Sequence, residues 1–326
     1  MYDVITIGSA TVDVFARTEF REFLKGKHKE KCIAYPVGSK ILIQELIVTT
    51  GGGGTNSAVA LARLGHKVAF VGKMGLKDNS NRVITELEDD KVDTSLVIRK
   101  KEFRTGYSII LDSQGHDRTI LVFRGSSNDL NFKEIKLKNL KTRWFYFSTM
   151  MGKAYNTLEK MADYAAKNNI KIIFNISSYL AKKGPLFLKK TLSKTSILVL
   201  NKEEAALIVG NGHIESLLRK LRGLGPEIIA ITDGKNGVYV FDGIYFYYGM
   251  PHKVHVVETT GAGDAFAASF LSGIMRKNDI EFAIKLGITN AESVIKYHGA
   301  KNILLRYNEA LRIMKKVPVK VIKKKI

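Results

Sequence analysis

Three short runs, IKIIFN (170–175), ILVLN (197–201) and IIAIT (228–232), decide how this chain folds. Each is apolar almost throughout, rich in β-branched residues and too short for a helix. A run without polar alternation is the pattern of a strand covered on both faces. Working outward, VITIG (4–8), VAFVG (68–72) and WFYFS (144–148) repeat it. Helical periodicity fills the gaps at 56–64, 79–90, 153–168, 202–209 and 213–222. Strands alternating with helices predict right-handed βαβ units, hence an α/β fold with a mostly parallel sheet and helices on both sides. From Gly261 to Lys316 the pattern is nearly all helical, with breaks near Lys277–Asp279 and Gly299–Lys301.

Two segments break the rhythm. Residues 104–123, RTGYSIILDSQGHDRTILVF, read as a hairpin turning at Gln114–Gly115. Residues 14–50 are charged and irregular before ending in the strand-like KILIQELIVTT. Together they predict a small β sheet beside the main body, placed as a lid where ligands meet the carboxyl ends of the strands. There is no internal repeat and no proline-rich linker, with five prolines in all, so residues 1–326 read as one domain with this appendage from about 14–50 and 104–124.

Composition narrows the class. With 326 residues, 45% hydrophobic and 25% charged, the chain has globular proportions. One cysteine, Cys32, excludes an internal disulfide framework or a multi-thiolate zinc site. MYDVITIG reads as neither a signal nor a transit peptide, and no run approaches a membrane span, so a cytoplasmic protein is expected. The net charge is +21, and 38 of the 52 basic residues are lysine. Such an excess raises nucleic-acid binding as a candidate. It is spread over 17–40, 99–143 and 301–326, however, as solvated surface charge commonly is.

Chemistry concentrates in two glycine-rich segments. Thr50-Gly-Gly-Gly-Gly-Thr-Asn-Ser57 runs straight into the helical AVALARLG. Glycines there let the backbone approach a ligand, with Thr55 or Asn56 expected to cap the helix. Val256–Phe266, VVETTGAGDAF, places Gly261, Ala262 and Gly263 at a helix start that favours anions, with Asp264 in the first turn. A carboxylate beside an anion hole is placed to take a proton from an attacking hydroxyl, as phosphoryl transfer requires. No Gly-Lys-Ser/Thr follows the glycines, the protein-kinase elements are absent, and no strand-linked G-x-G-x-x-G supports a dehydrogenase.

Over essentially its whole length the chain resembles the ribokinase-like (PfkB) carbohydrate kinases. The resemblance rests on GGGGTNSAVALARLGHKVAFVGKMG (51–75) and ETTGAGDAF (258–266), in the family's order. It implies a three-layer αβα sandwich with a β lid, ATP as donor, Mg2+, and a hydroxymethyl group of a sugar or sugar-like molecule as acceptor. It also implies the roles. Asp264 matches the general base, and Gly261, Ala262 and Gly263 the anion hole. Asp13, Gly52, Gly53 and Asn56 match substrate-binding positions. Asn201 and Glu204 match the element acting on the magnesium–phosphate network, Glu204 through water. Thr232, Gly234 and Gly237 match the loop beside the nucleotide, and Asn290 the adenine wall. Glu258 and Thr260 stand where cation-activated members hold a potassium-type ion. Arg124, at the end of the hairpin, adds a group able to reach a substrate hydroxyl or phosphate.

Departures bear on specificity. Gly53 stands where many ribokinases carry lysine, which puts ribose in doubt. Methionines at Ser148–Met151 stand where some sugar kinases place a glutamate, an arrangement suiting a nucleoside or larger acceptor. A nucleoside kinase is therefore the alternative, and a non-catalytic nucleic-acid-binding protein the remote one. A homodimer through the lid, supported by the apolar alternation in KILIQELIV, is the expected assembly.

Overall fold

The structure is a computed structural model that describes residues 1–18, 23–25, 31–76, 79–113 and 118–325. Its main sheet has nine strands, and the six runs singled out above form a continuous parallel block within it. Their spatial order is Val68–Val71, Tyr2–Ile7, Thr142–Ser148, Lys171–Asn175, Ile197–Asn201, Ile228–Thr232. Three antiparallel strands, Val238–Phe241, Tyr245–Met250 and Lys320–Lys325, extend the sheet beyond Thr232.

Both faces of the sheet are buried, which explains the unbroken apolar runs. Val4, Tyr146, Ile173, Val199 and Ala230 point into one core, under helices Gly53–Arg63, Ala262–Lys277 and Ile280–Val294. Their neighbours Ile5, Phe147, Phe174, Leu200 and Ile231 point into the other, under helices Lys153–Lys167, Lys202–Val209 and Ile214–Arg222. Side chains alternate across a strand, so each run must be apolar on every residue to fill both layers.

The second sheet, of four strands, has the order Arg118–Phe123, Gly106–Ser113, Thr11–Thr18, Ile43–Gly51. The hairpin strands are as expected, while the Gln114–Gly115 turn lies outside the described residues. The other half differs from expectation. Thr11–Thr18 is a strand pairing parallel with Gly106–Ser113 and antiparallel with Ile43–Gly51, so Asp13 sits within the small sheet, not in a loop after the first strand. The alternation in TVDVFA is masked in the sequence because Val12, Asp13, Val14, Phe15 and Ala16 are all buried, packed from both sides. Phe23–Lys25 and Lys31–Ile33 form a separate pair.

Part of the lysine-rich region 301–326, Lys320–Lys325, is the outermost strand of the main sheet. Lys320, Lys323, Lys324 and Lys325 are exposed along it. Among the described residues no helix is long and apolar enough to cross a membrane.

Candidate active site

Four adjacent parallel strands end in a polar residue, namely Ser148, Asn175, Asn201 and Thr232. All four line one cleft of about 440 Å3, together with Ser9, Gly53, Arg124, Thr149, Glu204, Gly261, Gly263 and Asp264. Apolar residues stop where the sheet's helical cover stops, and the strand ends open onto the cleft. A second cavity, of about 640 Å3, adjoins it at Thr232 and Gly263. Its lining is largely apolar, including Val238, Pro251, Phe266, Ile288, Ala291 and Ile295, with Gly234 and Gly237 at one edge.

Asp264 lies in the first turn of helix Ala262–Lys277, whose N-cap is Gly261. Gly261 has φ 81°, the left-handed region, and a Cβ there would also collide with Ala300. The turn thus requires glycine on two counts, and it brings the start of the helix to the cleft, which Gly261 and Gly263 line, while the Ala262 amide donates to Thr259 O at 3.2 Å. A Cβ on Gly263 would meet no protein atom within 4 Å, so the space beside it belongs to the cleft.

Two side-chain amides hold the carboxylate of Asp264. Asn56 Nδ2 donates to Oδ2 and Asn175 Nδ2 to Oδ1, each at 2.9 Å. Burial raises this carboxyl above the ordinary aspartate value, and the two amides and the charge of Lys301 pull it partly back. Asn56 therefore does not cap its helix. Helix Gly53–Arg63 starts earlier, at N-cap Gly52 with φ 95°, and has no side-chain cap. Thr55 Oγ1 instead donates to Gly51 O at 2.6 Å. Asn175 was not singled out in the sequence, although a polar residue ending an apolar run was its visible signal.

Asn201 and Glu204 form a reciprocal capping box. Glu204 N donates to Asn201 Oδ1 and Asn201 N donates to Glu204 Oε2, both at 2.8 Å. Burial raises the Glu204 carboxyl, and the backbone amides of Asn201 and Ser178 oppose it. Asp13 is 8% exposed and accepts from Thr11 Oγ1 at 3.0 Å. Burial raises it as well, while hydrogen bonds from Ser108 and Thr11 and the charge of Lys301 lower it. Arg124 lies over Tyr179, its guanidinium carbon 4.2 Å from the ring centroid.

Other placements differ from the sequence reading. Asn290 is fully buried, donates to Ser269 Oγ at 2.7 Å and accepts from Leu305 N at 3.0 Å. It ties two helices and a loop together; the second cavity is lined instead by Ile288, Ala291 and Glu292 of the same helix and by Ile295 just beyond its end. Met150 is buried in the core, so the hydroxyls of Ser148 and Thr149, not thioethers, line the cleft. Glu258 is buried and accepts from Gly299 N at 3.1 Å, with His298 Nδ1 3.7 Å away. Among the described residues no group of three or more His, Cys, Asp or Glu side chains is arranged to hold a metal ion.

A held carboxylate beside a glycine-turned helix start, between a polar cleft and a larger apolar one, suits group transfer between two small molecules. The chain belongs to the pfkB family of carbohydrate kinases, whose model matches residues 1–306. It is thus a phosphotransferase with an alcohol acceptor. A protein of Archaeoglobus fulgidus described as an uncharacterized sugar kinase is 29% identical over 251 residues, 76% of this chain and 99% of its own. The nucleoside kinase of Methanocaldococcus jannaschii, an archaeal member of the ribokinase family, superposes with a TM-score of 0.81 at 20% identity, covering 97% of this chain and 99% of that one. Arabidopsis thaliana ribokinase complexed with ribose and ATP gives 0.80 at 19% identity, over 96% and 99%. The fold is the ribokinase fold.

Proposed function

We propose that the protein is an ATP-dependent, Mg2+-requiring kinase that phosphorylates a hydroxymethyl group of a sugar or sugar-like molecule, with Asp264 as general base. The observation that carries this reading is the Asp264 carboxylate, fixed by Asn56 and Asn175 in the first turn of a helix whose start, at Gly261 and Gly263, lines the same cleft. The acceptor oxygen attacks the γ-phosphorus, its proton passes to Asp264, and the bond to the β-phosphate oxygen breaks to release ADP. The first-turn amides at Gly261–Gly263 meet the charge on the transferring group. Thr232, Gly234 and Gly237 border the nucleotide, and the apolar cavity takes its base.

The donor set fits magnesium, a hard ion that prefers oxygen and keeps several waters. Glu204, 9% exposed on the cleft, would hold it through water, with Asn201 fixing that carboxylate. The ion would supply charge neutralisation between the phosphates. Glu258 and Thr260 are the place for a potassium-type ion, which an exchange of K+ for tetramethylammonium would reveal as lost turnover.

On the acceptor side, Asp13, Gly52, Gly53 and the hydroxyls of Ser9, Ser148 and Thr149 suit a hydroxyl-rich ligand, and the small sheet acts as a lid over it. One observation favours a nucleoside: Arg124 and Tyr179, paired at 4.2 Å, both line the cleft and offer π-bearing groups on which a base can stack. A panel of sugars and nucleosides, with ATP and with ADP as donor, tests the proposal. Transfer from ATP to a sugar is expected; transfer to nucleosides alone replaces the sugar, and no transfer to any acceptor overturns the function.

A further inference from the structure

Lys301 is 2% exposed and has no part in the mechanism above. It lies on the loop between helices Ile280–Val294 and Tyr307–Lys316. Its Nζ donates to Thr50 Oγ1 at 2.5 Å and to Glu86 Oε2 at 3.0 Å. Thr50 immediately precedes the glycine loop that holds the acceptor. The residue before Lys301, Ala300, packs so closely under Gly261 that a Cβ there would collide with it. The loop is fastened from a third side by Arg63, which donates to the carbonyl of Lys301 at 2.7 Å and pairs with Asp90 at 2.7 Å. Lys301 thus bonds the residue before the acceptor loop while its neighbour Ala300 packs against the anion-hole turn.

A spacer in that position would be better made of hydrocarbon, because a buried ammonium carries a large desolvation cost. Its ion partner is also incomplete, since the Glu86 side chain is 29% exposed and shares its charge with solvent. Burial lowers the proton affinity of the Lys301 ammonium, and the charges of Glu86 and Asp13 oppose that; its own charge in turn lowers the Asp13 and Asp264 carboxyls. We propose that Lys301 is a positioning residue for phosphoryl transfer: it sets the acceptor loop against the Gly261 turn and supplies a buried positive charge to the site of Asp13 and Asp264. This rests on the reading of Asp264 as the base.

The charged and titratable groups around these three residues define what a pH profile reports. Lys301 faces Glu86, Asp90 and Asp13, with Arg63 on its carbonyl. Asp13 also faces Glu258. Asp264 faces Lys301, Glu204 and Tyr146, and accepts from the two asparagines. A positive charge lowers a neighbouring carboxyl, so removing it raises both aspartates and moves the acidic limb of kcat/KM to higher pH.

The test measures kcat/KM against pH for wild type, Lys301→Met, Lys301→Arg and Glu86→Gln, with Asp264→Asn alongside. For Lys301→Met the acidic limb should move up by on the order of one pH unit, with KM for ATP unchanged; Lys301→Arg should restore it. An unmoved limb in a folded Lys301→Met protein overturns the proposal. Should that variant not fold, Glu86→Gln decides. It keeps the ammonium but removes the carboxylate that helps hold its proton, so activity should fall at alkaline pH where wild type does not, and an unchanged alkaline side overturns the proposal equally. Retained turnover in Asp264→Asn would instead remove the general-base reading; an inactive Asp264→Asn with unshifted Lys301 profiles removes this inference alone.

Discussion

Asp264→Asn separates the chemistry of the site from its architecture, because the two effects have very different sizes. The substitution keeps shape and volume but leaves no group able to take the acceptor's proton. General-base assistance contributes about 10²–10⁴ in rate, which at 1.36 kcal/mol per tenfold is about 3–5 kcal/mol of barrier. The structural cost is smaller. Asp264 accepts from Asn56 Nδ2 and Asn175 Nδ2, both at 2.9 Å, so a new amide nitrogen must face one of those donors. Left unrelieved, that mismatch costs about 1–3 kcal/mol, and a half-turn of either asparagine amide relieves it. Against it stands the loss of a carboxylate whose proton affinity burial has raised, so ionising it in the folded protein is itself unfavourable. The two act in opposite directions. The expected outcome is a folded protein that binds ATP as wild type does and has lost turnover by about 10²-fold or more. ADP release in a coupled assay gives the turnover and titration calorimetry the ATP binding. Turnover within about fivefold of wild type, in a variant that melts and binds normally, would refute the assignment of Asp264 as base. The wild-type profile provides a second reading: the base must be ionised, so kcat/KM should fall as pH drops through a value above the ordinary 3.8 of aspartate.

Two further outcomes follow from other parts of the molecule. His66 bonds Ser272 Oγ through Nε2 at 2.7 Å, and burial, reinforced by Arg276, holds its pKa down at about 4 against the ordinary 6.5. It is neutral when folded and takes a proton more readily when unfolded. The stability from this site is therefore present above pH 6.5 and lost as pH falls from there toward about 4, up to about 3 kcal/mol. His66→Gln should flatten that part of the stability–pH curve in urea titrations, and an unchanged slope would count against it. On the small sheet, Leu46, Ile109, Leu121 and Phe123 share the face opposite Asp13 and are 59%, 38%, 51% and 55% exposed. Two copies are expected to pair through this face, so Leu121→Asp with Phe123→Asp should turn a dimer into a monomer by sedimentation; a wild-type monomer at micromolar concentration would end the idea.

The parallel block of the sheet was legible because burial on both faces leaves a signature that depends on no tertiary detail. ILVLN and IIAIT match the observed strands residue for residue. Where polar and charged residues interrupt the run the signature failed: Asp13 and Arg17 break the strand Thr11–Thr18, most of which falls in the segment 14–50 read as irregular, and the lysines of Lys320–Lys325 read only as surface charge. The two glycine-rich segments were legible as sites because Gly52 and Gly261 occupy backbone conformations that side chains resist. Asn175 and Lys301 were not. Asn175 carries a single polar letter at the end of an apolar run, and only pairing beside Ser148 brings it over Asp264. Lys301 is one lysine among 38, and nothing local distinguishes a buried ammonium from a solvated one. Asn290 shows the converse, since its helix was placed at the nucleotide side while the helical period turned this one residue inward.

The net charge of +21 bears on function through very few residues. The densest run, Lys320–Lys325, is the outermost strand of a nine-stranded sheet, and its inner side already pairs with Tyr245–Met250. The outer edge of such a strand can template pairing with another chain, and exposed lysines there repel an identical edge. Lys323 also lies over the rings of Tyr245 and Tyr247, at 4.1 and 5.4 Å, so part of the charge is used in holding the strand down. At the cleft the balance reverses. Asp264 and Glu204 line it, and Arg124 is the cation among the lining residues, with Lys301 buried behind. A surface crowded with lysine and a site admitting one or two cations answer different physical demands. Edges and solvated faces need charges that repel their own copies. The site needs positive groups few enough, and fixed enough, that carboxylates beside a polyphosphate stay ionised without binding the phosphates too tightly to release them.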